Sequence, residues 1–190
     1  VNAMGTNTTG ASNTALGHSA LFSNTTASNN TAVGYQAGYS NTTGTDLALF
    51  GFEAGHSNTT AIRTTAFGRK ALRANTTGSD NTAIGHDAGL NNTTGIRNTY
   101  VGRYAGGSNV SGNENTYVGR DAGANATGSQ NLFLGEETGY SQSSGSFNTY
   151  VGTYAGSTMT TGSKNTIIGK FNGNQGGLDI RTSSNNIVLS

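Results

Sequence analysis

The sequence predicts an all-β chain: a parallel β-solenoid, or β-roll, of about ten 17-residue coils. Three observations predict it. First, a glycine preceded by a large apolar residue stands at 17, 34, 51, 68, 85, 102, 119, 135, 152 and 169, every interval being 17 residues except one of 16. A short, regular period signals stacked units, each too small to bury a core alone. Second, the residues before each glycine alternate as a strand does, as in Asn30-Thr31-Ala32-Val33-Gly34, and no apolar stripe at helical spacing outlasts one repeat. Third, charged residues make up 10% and hydrophobic residues 32%, with a net charge of +1 and no proline. That is too polar for an ordinary core, yet it lacks the charge and proline of a disordered chain.

The coil is justified position by position, counted from the glycine. Four before stands mostly Asn, at 13, 30, 81, 98, 115, 131, 148 and 165; three before stands mostly Thr, at 14, 31, 65, 82, 99, 116, 149 and 166. One before stand Leu16, Val33, Phe50, Phe67, Ile84, Val101, Val118, Leu134, Val151 and Ile168, all apolar and expected to point inward, with Thr on the same side by alternation. Three after stands Ala, from Ala20 to Ala155 with Thr138 as the interruption, small enough to face that column across a narrow interior. The glycine turns a corner without a Cβ clash, and the Asn-Thr-Thr-Gly stretches are turn chemistry. Asn and Thr in register offer side-chain hydrogen bonds from coil to coil. Seventeen extended residues trace roughly 55 Å, enough for two short strands and two turns, and ten coils about 4.8 Å apart make a rod of roughly 45–50 Å.

The ends break the pattern. Residues 1–173 form the repeat domain with an incomplete first coil: Met4-Gly5 resembles the apolar-glycine corner, then runs straight into Asn7-Thr8-Thr9-Gly10. Residues 174–190 read as a terminal cap or transition segment, in which Asn186-Ile187-Val188-Leu189 resembles a last strand displaced by four extra residues. Because it opens on Val1, the chain reads as part of a longer one.

The unit NTAVGYQAG, from Asn30 to Gly38, resembles the head repeats of YadA-like trimeric autotransporter adhesins, which read roughly N-S-V-A-I-G-x-x-A. The glycine, the apolar residue before it, the small residue two before and the Ala three after all match, over ten repeats. The uniform wording of NTAVGYQAGYSNTTG, and the exit NTIIGKFNGNQGG, are similar to repeats in bacteriophage tail-fibre and virion appendage proteins. The resemblance implies a left-handed parallel β-roll, three associated chains, and a place on a virion appendage or an extracellular surface. The Asn stands one position closer to the glycine than in the adhesin pattern, so the fold carries over further than the adhesin identity.

Composition excludes several classes. Ten Lys and Arg are balanced by nine Asp and Glu, so no nucleic acid partner is expected. Cysteine is absent, which removes thiolate chemistry, and no 18-residue apolar run offers membrane insertion as a helix. No cofactor or metal is expected: there is no phosphate-binding loop and no repeated calcium motif. His18 and His86 share a column but lie four coils, roughly 19 Å, apart, and His56 is on another edge. Asp121 and Glu137 occupy one column in adjacent coils, about 5 Å apart, a separation that suits a retaining glycosidase. Arg120 and Glu136 beside them make a surface charge ladder the stronger reading, and a smooth rod lacks a cleft. The chain is therefore expected not to be an enzyme. Arg63, Arg69, Lys70 and Arg73 read as a solvated basic spot, with contact to an acidic glycan as the alternative.

The column two before the glycine, Ala15, Ala32, Leu49, Ala66, Ala83, Tyr100, Tyr117, Phe133, Tyr150 and Ile167, faces away from the interior if its neighbour faces in. An uncharged ten-rung outward stripe predicts a subunit interface at Ala32, Ala66, Ala83, Tyr100, Tyr117, Phe133 and Tyr150, in a homotrimer. An aromatic ladder stiffening an exposed sheet is the alternative. Tyr35, Tyr39, Tyr104, Tyr140 and Tyr154 read as scattered, with no carbohydrate platform among them. These features lead first to a non-enzymatic structural or adhesive segment of a phage tail fibre or similar virion appendage, with a host receptor or glycan as partner. A bacterial surface adhesin head binding host matrix comes second. Ice binding through Thr25, Thr42, Thr59, Thr76 and Thr93, and glycan cleavage on Asp121 and Glu137, follow behind.

Overall fold

Each coil contributes one three-residue strand, and the strands stack in sequence order. A computed structural model, which describes residues 2–190, gives β1 (Thr14–Leu16), β2 (Thr31–Val33), β3 (Ala48–Phe50), β4 (Thr65–Phe67), β5 (Thr82–Ile84), β6 (Thr99–Val101), β7 (Thr116–Val118), β8 (Leu132–Leu134), β9 (Thr149–Val151) and β10 (Thr166–Ile168). Every pair is parallel and in one register, so that Thr82 lies opposite Thr99, Ala83 opposite Tyr100 and Ile84 opposite Val101. The remaining sides of the coil carry no strands but bond rung to rung in the same sense. Leu21 N–H donates to the Ala37 carbonyl at 3.0 Å, and Thr42 N–H to the Thr59 carbonyl at 3.0 Å. The molecule is an all-β parallel β-solenoid, as its period predicts.

The phase of the alternation is the reverse of the expectation. The column two before the glycine points inward: Ala32, Leu49, Ala66, Ala83, Tyr100, Tyr117, Phe133, Tyr150 and Ile167 are all 0% exposed within one chain. The column one before the glycine points outward, with Leu16 67%, Phe67 56% and Ile168 47% exposed. The predicted subunit interface at Ala32, Ala66, Ala83, Tyr100, Tyr117, Phe133 and Tyr150 is therefore the core of the single chain. The physical reason lies in the volume available opposite each rung. Gly38, four residues after its corner glycine, has no room for a side chain, because a Cβ there would lie 2.8 Å from Leu49 Cδ1 and 2.9 Å from Leu21 Cδ2. Leu21 and Leu72 replace this glycine only in the coils where Ala15 and Ala66 stand across from them. From Tyr100 to Tyr150 the rings fill the same slot, and Tyr117, Phe133 and Tyr150 stack with centroids 4.8 Å apart. The outward column has no such compensation because nothing confines it.

Alternation also carries Asn inward and Thr outward. Asn81, Asn98, Asn115 and Asn131 are buried. Each Oδ1 accepts the backbone N–H of the Asn above, from Asn98 to Asn81 and from Asn115 to Asn98 at 2.9 Å. Each Nδ2 donates to a turn glycine carbonyl, as Asn98 does to Gly112 at 2.9 Å. A second amide ladder runs through the turn, Asn92 Nδ2 donating to Asn75 Oδ1 at 2.9 Å and Asn58 to Asn41 at 2.9 Å. The turn ladder ends at Asn92, whose buried Oδ1 has no partner among the described residues; the amides satisfied on either side stabilise one register and no other. The corner glycine is obligatory for two reasons: Gly85 has φ of +140°, and a Cβ on it would lie 2.5 Å from the Gly102 carbonyl oxygen.

The irregularities of the repeat are absorbed outside the core. In the 16-residue coil Thr127 N–H donates to the Ser143 carbonyl and Gly128 stacks on Gly145. The missing residue is the exposed second Thr of the turn, the place of Thr94 in an earlier coil. Met4 is not a corner residue: its N–H donates to the Ala20 carbonyl at 2.9 Å, which puts it at the place of Leu21, packed against the core. The spacing from Met4 to Asn7 therefore equals that from Leu21 to Asn24, and no residues are missing between them. Residues 174–190 are likewise not separate from the stack. The hairpin of β11 (Asn174–Gln175) and β12 (Leu178–Asp179) holds the extra residues, Ile180 returns to the core, and β13 (Ile187–Leu189) pairs in register with β10.

Candidate functional site

The outward face of the sheet is the largest feature that the internal packing leaves unexplained. Each strand of the eleven-stranded sheet presents its first and third residues to it, and none of these residues is charged. One column is mostly Thr, the other wholly apolar. Phe50 and Phe67 stack on this face with centroids 5.6 Å apart.

Charged columns flank the face on both sides. On one side run Asp46, Arg63, Asp80, Arg97 and Glu114, alternating in sign; Arg63 pairs with Asp80 at 2.6 Å and Arg97 with Glu114 at 2.8 Å. The Arg63 hydrogen bond and charge hold the Asp80 carboxyl below the usual carboxylate range. A slip by one rung would set like charges together, so this column reinforces the register. On the other side, directly after the corner glycine, the column begins with an aromatic ladder that sequence reading missed. His18, Tyr35 and Phe52 stack at 5.2 and 5.1 Å, and a second ladder four residues further on joins Phe22, Tyr39 and His56 at 5.4 and 5.3 Å. Tyr35 and Tyr39 are thus not scattered. The signal was present as two aligned columns at one and five residues past the glycine. Burial lowers the pKa of His56 in the second ladder, with the nearby Arg73 charge adding to it.

The sequence-predicted catalytic pair is brought together, but by an arginine. Arg120 Nη1 donates to Asp121 Oδ2 at 2.6 Å and Nη2 to Glu137 Oε1 at 2.8 Å, with Glu136 as a further partner. Arg103 reaches the same Asp121 oxygen at 3.0 Å. These carboxylates are acceptors in an ion cluster along the rod. The basic spot is divided in the same way: Arg63 is paired with Asp80, Arg69 lies 3.5 Å from Asp87, and Arg73 pairs with Glu53 at 2.6 Å. Its arginines thus stand on three different columns, each beside an acid. His18 and His86 are not brought together. Among the described residues no group of three or more His, Cys, Asp or Glu side chains is placed to hold a metal ion.

The Thr25, Thr42, Thr59 and Thr76 hydroxyls are committed internally: Thr42 Oγ1 donates to the Thr59 carbonyl at 3.1 Å, and the others do the same. This leaves a single column, Thr26, Thr43, Thr60 and Thr77, exposed at the turn. Beside the hairpin, Thr158, Thr160, Asp179, Arg181 and Thr182 line an open recess of about 460 Å³. Its charged residues bond to each other, Arg181 to Asp179 at 2.7 Å, which holds the Asp179 carboxyl at about 2. Compared with protein-family models, curated proteins and solved structures, the chain matches none.

Proposed function

We propose that the chain is a non-enzymatic structural segment of an extended surface appendage, in the first place a bacteriophage tail fibre or similar virion appendage. It acts mechanically, as a rod that holds other parts of the assembly at a distance from the particle. The observation that carries this reading is the unbroken register of the sheet from β1 to β13, reinforced by two buried amide ladders. Load along such a rod is shared by many backbone bonds per rung. The tail-fibre assignment rests on the resemblance of the repeat wording, as does the homotrimeric state. The second reading, an adhesin head on a bacterial surface, is favoured by the match of NTAVGYQAG to the adhesin repeat. The Asp121–Glu137 pair gives glycan cleavage little support, since Arg120 holds both carboxylates.

Antibody raised against the purified chain, followed by electron microscopy of virions and cells from the source culture, tests both readings. Decoration of tail fibres supports the first and decoration of the cell envelope supports the second. Decoration of neither overturns both.

A further inference from the structure

We infer that Asn172 is a site of spontaneous covalent modification, at which the chain closes on itself and reopens as isoaspartate or aspartate, loosening the last coil. The inference goes beyond the appendage reading and does not depend on it. The step needs only the chain and water. The Gly173 amide nitrogen, its proton lost to solvent, attacks Asn172 Cγ. The new C–N bond closes a succinimide ring, and the side-chain amide takes up a proton and leaves as ammonia. Water then adds to one of the two ring carbonyls and breaks its bond to the ring nitrogen. Opening at the main-chain carbonyl leaves Gly173 attached through Cγ, as isoaspartate; opening at Cγ gives aspartate.

Asn172-Gly173 is the one Asn-Gly step in the sequence, and the fold demands the glycine. Gly173 has φ of +117°, and a Cβ on it would lie 3.0 Å from Met159 Sδ and 3.1 Å from Thr158 Oγ1. No side chain therefore shields the attacking nitrogen. That nitrogen is also uncommitted: among the described residues the Gly173 N–H has no hydrogen-bond partner, and neither has Asn172 Nδ2. Asn172 Oδ1 accepts the Asn174 N–H at 2.9 Å, a donor placed where negative charge develops during attack on Cγ. The repeat sets the opposite conditions around other asparagines. Asn30, Asn41 and Asn98 precede threonines held by the next rung: Thr31 N–H donates to the Leu47 carbonyl at 2.8 Å, Thr42 to Thr59 at 3.0 Å and Thr99 to Asn115 at 2.8 Å. Their Nδ2 groups are held as well, each donating at 2.9 Å. Even the exposed Asn91 and Asn125 precede N–H groups that donate to the Gly89 and Gly123 carbonyls at 3.0 Å.

The release coincides with the departure from the repeat. Phe171 takes the place of the inward Ala, Gly156 N–H donating to its carbonyl at 2.8 Å, and the chain then leaves for the hairpin. Asn172 is the joint between the two. Its carbonyl accepts both the Thr158 N–H and the Thr158 hydroxyl at 2.9 Å, and Thr158 lines the open recess beside the hairpin, by which water reaches the site. An extra main-chain carbon at this joint, together with a new carboxylate, displaces that carbonyl from Thr158.

The test is peptide mapping by mass spectrometry of the purified chain aged at mildly basic pH, folded and in urea, with fragmentation that separates isoaspartate from aspartate. In the folded chain the peptide holding Asn172 should convert from amide to acid at least about tenfold faster than any peptide whose asparagine precedes threonine, with isoaspartate as the larger product. Conversion should slow at mildly acidic pH, because the attacking nitrogen must lose its proton. Asn172→Gln, which can close only a larger ring, should abolish it on the same timescale and leave the circular dichroism unchanged, the residue being half-buried. Hydrogen exchange at the Thr158 N–H should quicken in the aged chain and not in the variant, while the Thr99 N–H keeps its protection. A folded chain that keeps Asn172 intact while the chain in urea loses it overturns the inference, as does conversion spread equally over the Asn-Thr steps of the folded chain. Unchanged exchange at Thr158 in the converted chain overturns the loosening of the coil. None of these results bears on decoration of virions or cells.

Discussion

Truncating Tyr100 to Ala should cost about 4 kcal/mol of folding free energy, while Val101→Ala, one residue on, should cost less than about 1 kcal/mol. The contrast follows from which side of the strand each occupies. Tyr100 is 0% exposed, stacks on Tyr117 at 5.8 Å, and lies so close to Gly89 that a Cβ there would be 2.5 Å from its ring. Its removal leaves a ring-sized cavity, for which about 3–5 kcal/mol is usual. It also takes the hydroxyl that accepts from Asn109 Nδ2 at 2.5 Å, although that amide keeps its bond to the Gly112 carbonyl at 3.0 Å. Val101 is half-buried on the outward face and leaves no enclosed void. At about 2–4 °C per kcal/mol for a chain of this length, Tyr100→Ala should lower the melting temperature by roughly 8–16 °C. Urea and thermal unfolding followed by circular dichroism would measure both. A third variant tests the reasoning itself. Leu72 takes a φ of +49° in the glycine place across from Ala66, and Gly106, with φ of +62°, is the same place across from Tyr100. Adding Gly106→Leu to Tyr100→Ala should therefore recover about half the loss, the leucine burial outweighing a backbone cost of about 1 kcal/mol. If Val101→Ala proves as costly as Tyr100→Ala, or if the leucine deepens the loss, the assignment of inside and outside is wrong.

Deleting Thr43 should cost under about 1 kcal/mol in a denaturant titration, since the natural 16-residue coil lacks the same exposed turn residue and still bonds rung to rung through Thr127 N–H and the Ser143 carbonyl; loss of the fold would show that the turn is not where length is tolerated. Among the described residues Tyr117 Oη has no partner at hydrogen-bonding geometry, the nearby Asn131 amide donating to the Gly145 carbonyl instead, while Tyr150 Oη donates to Gln142 Oε1 at 3.1 Å. Tyr117→Phe should thus stabilise by about 1 kcal/mol and Tyr150→Phe destabilise by a similar amount, with equal effects counting against the argument. Burial lowers the His56 pKa below its ordinary 6.5, so the unfolded chain takes up a proton that the folded chain resists. The contribution is full above about pH 6.5 and is lost as the pH falls towards and through the folded value. His56→Phe, which extends the Phe22–Tyr39 ladder, should flatten the stability profile between about pH 7 and 5; an unchanged slope would refute the assignment.

The stacking, the strand position, the corner glycines and the Asn and Thr ladders were legible in the sequence because each is a periodic property, and periodicity survives ignorance of which way the chain faces. The phase was not legible from hydrophobicity alone. Val33 and Ile84 are as apolar as anything in the core, so a column of such residues reads as inward by habit. The site followed the phase: with the strand reversed, the expected interface at Tyr100, Tyr117 and Tyr150 becomes core, and the exposed apolar column is the one a single residue away. The hairpin and the place of Met4 in its coil were unreadable for another reason. A departure from the repeat looks like its end until the hydrogen bonds show where the chain rejoins it.

A signal that separates inside from outside did exist, in volume and not in polarity. A confined column must trade size with whatever it faces, whereas a free one need not. The column of Tyr100 trades: Leu21 and Leu72 appear only across from Ala15 and Ala66, and every Leu, Ile, Tyr or Phe of that column faces glycine. The column of Val101 stays large in every rung, whatever stands near it. Constancy of size without compensation within the chain is what a column free of confinement by its own coil shows. The same reasoning places the Tyr100 column inside and the Val101 column outside, and it explains how so few large residues order so long a chain. A minority of them fill the coil, and the hydrogen-bonded rungs do the rest.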